Sequence, residues 1–156
     1  MAKKDKKKSA DDSKLIQELN QLLATYQVFY QNLRGIHWNI KGQNFFDLHV
    51  KFEELYTDAQ LKIDEVAERI LTLGHQPLHT YSDYLKQSLV KEAKNITKDV
   101  DAVRMITENL TILIKFEKAT DAKDSLAQNA WYHLADCHIQ TGNKTKARNA
   151  FYAASN

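Results

Sequence analysis

The stretch "FFDLHVKFEELYTDAQLKIDEVAERILTLG", residues 45–74, decides the fold. Leu48, Phe52, Leu55, Ala59, Ile63, Val66, Ile70 and Leu73 recur at steps of three and four, which marks one face of a long α-helix, and Gly74 supplies its stop. Beside that apolar stripe lie four side chains able to bind a metal: His49, Glu53, Asp64 and Glu68. A fifth, His37, stands just upstream in "GIHWNIKG". Imidazole with carboxylate is a donor set that suits iron, and helical bundles commonly carry such sites.

Helix geometry constrains how these five can meet. At about 100° per residue, Glu53 lies about 40° around the helix from His49, Asp64 about 60° and Glu68 about 100°. One narrow face therefore holds all four. At a rise of about 1.5 Å per residue, however, Glu53 and Asp64 stand about 16 Å apart along the axis. A single helix cannot close them on one small cluster. A second copy lying antiparallel, crossing near Asp58 and Ala59, would set His49 and Glu53 of one subunit against Asp64 and Glu68 of the other. Two-fold symmetry would then make the site twice. The spacing predicts a homo-oligomer.

Outward from this helix the pattern stays helical. Upstream, Leu15, Leu19, Leu22, Tyr26, Phe29, Leu33 and Ile36 mark a first amphipathic helix, interrupted by "KGQN" with Gly42 as a stop and Asn44 as the N-cap of the next. Downstream, a linker holds a short helix near Ser82–Lys86. Another helix follows, with Ala93, Ile96, Val100, Val103, Ile106, Leu110 and Leu113 as its core face. From Thr120 two further helical segments are expected, divided by "TGNK". Lys51, Glu54, Lys62 and Glu65 read as a solvated face with paired charges. Strand alternation is missing, and one proline and four glycines in 156 residues suit long helices rather than a turn-rich β fold. The expected fold is an all-α bundle in one domain.

Composition narrows the setting. One cysteine, Cys137, excludes an intramolecular disulfide framework and fits a reducing compartment. No apolar run approaches the ~20 residues that span a bilayer, and the basic start lacks the apolar core of a secretory signal. A cytoplasmic protein without a membrane partner is expected. Charge is concentrated at the start, where residues 1–14 hold six lysines against three aspartates. Such a segment buries no apolar surface and is expected to be a disordered tail. Lys3, Lys4, Lys6, Lys7 and Lys8 could hold DNA phosphates by releasing counterions, or the tail could serve solubility alone. With no aromatic for stacking, DNA binding there would ignore sequence.

Residues from about 12 to 118 resemble the Dps family, the ferritin-like DNA-binding proteins from starved cells. The resemblance rests on "HWNIKGQNFFDLHVKFEELY", "IDEVAERILTLG" and "YSDYL", with a His-Trp pair, a second histidine twelve residues on, and an acidic pair in "DEVAE" at the matching distance. It implies a ferritin-like four-helix bundle in a hollow dodecamer. Iron would be bound by His37, His49 and Glu53 of one subunit with Asp64 and Glu68 of a two-fold mate. Ferrous iron would be oxidised, preferably by hydrogen peroxide, stored as ferric mineral, and DNA thereby protected. Trp38 would stand beside the site, where it could intercept oxidants or pack as an interface aromatic. Glu53 departs from the aspartate common in the family, which implies altered iron affinity rather than loss. The Glu-x-x-His motif of intra-subunit di-iron bundles is not found at the site.

The last segment, residues 121–156, departs from the family. "AWYHLADCHIQTGNKTKARNAFYAAS" resembles one tetratricopeptide unit through Trp131, Leu134, Ala135, His138, Gly142, Ala147, Phe151 and Ala154. A single unit cannot form a solenoid. The favoured reading recruits Asp121–Gln140 as the fourth helix of the bundle, because an open three-helix face would expose apolar stripes. The other is a fused remnant. His133, Asp136 and His138 are read as packing or surface residues, and Asp121 and Asp124 are weak candidates for an iron-entry pore. Two rival functions stand beside the ferroxidase: a non-catalytic DNA-compacting protein, and a helical adaptor using the repeat-like end.

Overall fold

The computed structural model describes residues 2–119, 139 and 143–154, with side chains described from Ser13 to Phe116 and in the last segment from Asn143 to Ala150. Five helices are described: α1 Ala2–Asn39, α2 Phe45–Thr72, α3 Tyr81–Gln87, α4 Asp99–Ala119 and α5 Lys144–Ala154. Among the described residues the only extended pairing is an isolated bridge between Lys41 and Lys98. None of the described helices is long and apolar enough to cross a membrane. The described helices form the all-α bundle that the apolar periodicity predicts. The proposed fourth helix at Asp121–Gln140, and with it Trp131, His133, Asp136, Cys137 and His138, lies outside the described residues.

α1 is the hub, packing against α2, α3 and α4. Its Leu22, Tyr26, Phe29, Leu33 and Ile36 form one buried cluster with Leu48, Phe52, Leu55, Ala59, Val66 and Ile70 of α2 and Ala102, Val103, Ile106, Leu110 and Leu113 of α4. Burying such side chains contributes about 1.5–3 kcal/mol each. Ala150 joins the same cluster, so α5 docks on the core rather than standing free.

Polar side chains of α1 tie down the long connection between α2 and α4. Asn20 accepts from the Leu78 amide, Thr25 from the Leu89 amide, and buried Asn32 spans the Lys91 carbonyl and the Ala93 amide at 2.9 and 2.8 Å. Thr80 caps α3 by accepting from the Asp83 amide. At the end of α2, Gly74 has φ +80°, and the His75 and Gly74 amides return to the Ile70 and Leu71 carbonyls. This is a Schellman stop, and a residue with a Cβ would be strained at that φ.

The backbone is helical from Ala2, a stretch without glycine or proline to break it. Three expectations are corrected. The helix expected from Ala93 starts at Asp99, because Asn32 takes the Ala93 amide and Asn95 adopts φ 60°, so Ala93 and Ile96 lie before the helix and Val100 is exposed. Asn44 does precede α2, yet its side chain makes no cap bond and instead donates to Asp99 Oδ2 at 2.8 Å, joining the α1–α2 turn to the start of α4. Lys62 is buried rather than solvated, with Glu65 3.6 Å from its Nζ, whereas Lys51 and Glu54 pair at 2.6 Å as expected.

Candidate metal centre

His37 ends α1 and His49 lies in the second turn of α2, so the short turn between the helices brings them face to face. Their rings stack with centroids 3.7 Å apart and planes 21° from parallel. Each histidine is fixed by the backbone of the other. His37 Nδ1 lies 2.9 Å from the His49 carbonyl oxygen, and His49 Nδ1 lies 3.0 Å from the His37 carbonyl oxygen. A carbonyl only accepts, so both Nδ1 atoms carry the hydrogen. In the neutral rings the lone pairs are then at Nε2, the arrangement a metal ligand requires. The His37 carbonyl belongs to the last turn of α1, where helix geometry leaves carbonyls without intrahelical partners. The His49 ring satisfies one of them.

The pair is boxed by aromatic rings. Phe45 stacks on His49 with centroids 5.0 Å apart, and Tyr56 meets His37 edge-on at 5.3 Å. His37 is buried, His49 is half-buried, and Glu53 is exposed beside them. Partial burial, then the negative charge of nearby Glu53, raise the Tyr56 phenol above its ordinary pKa. Sequence reading missed Tyr56. Its position three residues after Glu53 on one helix was the available signal, outweighed by the commoner role of a tyrosine as a packing residue.

Asp64 and Glu68 are not part of this cluster. Both are exposed on α2, which runs unbroken from Phe45 to Thr72, and the rise of about 1.5 Å per residue keeps Asp64 about 16 Å from Glu53 along the axis. Among the described residues no group of three or more histidine, cysteine, aspartate or glutamate side chains is placed to hold a metal ion. One chain thus brings the two histidines together, with Glu53 one turn beyond His49 on α2 and the second acidic pair further along the same helix. The face bearing Glu53, Asp64 and Glu68 also carries exposed Phe46, Val50, Leu61 and Leu71. Trp38 is 58% exposed, with the Arg34 guanidinium 4.7 Å above its ring and 5.4 Å from that of Tyr30. The side chains of Lys3, Lys4, Lys6, Lys7 and Lys8 lie outside the described residues.

Residues 16–129 match the model of the ferritin-like domain. A DNA protection during starvation protein of Brevibacillus brevis is 36% identical over 125 residues, covering 80% of this chain and 83% of that one. The chain belongs to the Dps family. A DNA protection during starvation protein of Porphyromonas gingivalis is 44% identical over 105 residues, and the match spans 67% of this chain and about two thirds, 66%, of that relative. A Dps crystal structure from Vibrio cholerae O1, from a superfamily of ferritin-like diiron-carboxylate proteins, superposes with a TM-score of 0.70 at 39% identity, covering 94% of this chain and 85% of that one. The ferritin-like match contains all five candidate ligands and runs past Asp121, but reaches neither the lysine-rich start nor α5. As a Dps chain, the protein shares the helical scaffold on which the stacked histidines sit.

Proposed function

We propose that this Dps protein is a ferroxidase and iron store. It oxidises Fe(II), preferentially with hydrogen peroxide, at sites shared between two subunits, and so protects DNA from oxidative damage. The observation that carries this reading is the reciprocal lock on His37 and His49, which leaves two Nε2 donors free of the backbone, with Glu53 one turn beyond His49 on α2. Imidazole and carboxylate bind Fe(II), and the anionic oxygens favour the Fe(III) product. Two ferrous ions supply the two electrons that convert peroxide to water, so no protein nucleophile is required.

The lone half-set on one chain supports completion by a partner. A two-fold axis between Asp58 and Ala59 would set Glu53 opposite Asp64, His49 opposite Glu68, and Phe46 opposite Leu71. The same operation therefore completes the ligand set and covers exposed apolar side chains, which supports an isologous interface. A dodecameric shell built on this contact, in the cytoplasm, is the assembly proposed. Lys3, Lys4, Lys6, Lys7 and Lys8 are proposed to hold DNA phosphates without regard to sequence. Replacing His37 and His49 together by glycine tests the reading: peroxide-dependent Fe(II) oxidation should be lost while DNA binding persists. Undiminished oxidation would overturn the site.

A further inference from the structure

Charge is divided unevenly along the chain. Residues 15–142 hold 13 basic and 17 acidic side chains, whereas residues 143–156 hold Lys144, Lys146 and Arg148 and no acid. All three cations lie on α5, beyond residues 16–129 of the ferritin-like match, so the shared scaffold does not account for them. α5 is held by buried Ala147 and Ala150, the latter in the core cluster. The Asn143 side chain fixes its start by accepting from the Lys146 amide at 3.2 Å. Lys144, Lys146 and Arg148 are exposed. At about 100° and 1.5 Å per residue, Lys144 and Arg148 share a ridge about 6 Å long, and Lys146 flanks the solvent face on its other side.

Two structural roles fail to explain these cations. Lys14, Lys51, Lys62 and Arg104 each pair with an acid three or four residues away on their own helix. Among the described residues none of the three on α5 meets a carboxylate, and α5 itself contains none. Lys144 and Lys146 also stand in the first turn, where the helix dipole disfavours positive charge. Neither ion pairing nor helix stability requires them, whereas a polyanion does. We propose that the exposed face of α5 is a second DNA-binding surface, on which Lys144, Lys146 and Arg148 hold backbone phosphates without regard to base sequence. The proposal rests on the DNA-protection reading and is separate from the lysine-rich start. The acidic remainder of the chain repels a duplex, so contact falls to the two cationic segments. Because α5 is already folded on the core, its cations lose little backbone freedom on binding.

The test uses the full chain and a short DNA duplex, with affinity measured by fluorescence anisotropy across a salt series. Lys144→Gln, Lys146→Gln and Arg148→Gln in one chain should weaken binding about 10-fold or more at about 0.1 M salt. The slope of log K against log salt should flatten by about 2–3 per engaged α5. Lys144→Arg with Lys146→Arg and Arg148→Lys should keep the wild-type slope. Circular dichroism and particle mass are read on the same samples. Where the triple glutamine variant does not keep both, the single glutamine variants replace it, each expected to flatten the slope by about 0.9. Chains lacking residues 2–8 should retain a weaker, salt-dependent binding that the glutamine substitutions remove. Wild-type affinity and slope in the glutamine variants, equal weakening in the charge-preserving variant, or no binding left after deletion of residues 2–8, overturns the inference alone. A wild-type protein that binds no DNA overturns the DNA reading and the inference with it.

Discussion

The Nδ1 atoms of His37 and His49 are both engaged by backbone carbonyls, which leaves both Nε2 atoms to serve as donors. Glycine at both positions removes two donors and should lower peroxide-dependent iron oxidation by about 100-fold or more, given that loss of supporting partners alone costs 10–100-fold. Stopped-flow absorbance of the ferric product measures it. The Glu53 charge near Tyr56 makes a second prediction. In Glu53→Gln the negative charge is gone, so the Tyr56 phenol should ionise at lower pH than in the wild type, while partial burial still holds it above an ordinary tyrosine. An ultraviolet titration, with Tyr56→Phe to assign the transition, should show that downward shift. His49 and the acidic residues were legible as candidates because their spacing puts them on one helix face, and His37 because it stands just upstream of that helix. The tautomer lock was not, because it depends on the path of a turn that side-chain spacing does not specify. Tyr56 was equally hidden, since a tyrosine at a helical step reads as packing.

Elements built from apolar periodicity came through with little change, and those governed by single polar bonds did not. α2 ends at the Schellman turn its Gly74 announces, and α3 forms where the short linker helix was expected. The start of α4 was misplaced because Asn32, more than fifty residues upstream, captures the backbone that would otherwise begin the helix. Local pattern cannot register such a long-range partner. Asn32→Ala would strand the Lys91 carbonyl and the Ala93 amide, and should lower unfolding free energy by about 2 kcal/mol or more. Denaturant titration measures the loss, and hydrogen exchange should show the Ala93 amide losing protection first. Equal stability in the variant would mean that water replaces both bonds at no cost.

In one chain the acidic pair stands apart from the histidines, and Phe46, Val50, Leu61 and Leu71 face outward along the same side of α2. This separation was legible from helix rise alone, whereas the exposed apolar side chains beside it could be identified only once the core had claimed the other stripe. Leu61→Glu, at a position 60% exposed in the single chain, should leave helical content intact while reducing the particle mass and abolishing iron oxidation. Light scattering and circular dichroism on one sample would check both halves. Deleting residues 2–8 removes five lysines, and DNA binding should then weaken and depend less steeply on salt. The most direct test of a shared site is complementation. Chains carrying His37→Gly with His49→Gly are co-expressed with chains carrying Asp64→Asn with Glu68→Gln, and ferrous oxidation by peroxide is measured on the purified mixture. Each homo-oligomer should be inactive, while random pairing should restore about a quarter of wild-type activity, because half the two-fold pairs are mixed and each holds one intact site. No recovery in demonstrably mixed particles would contradict a site shared between subunits.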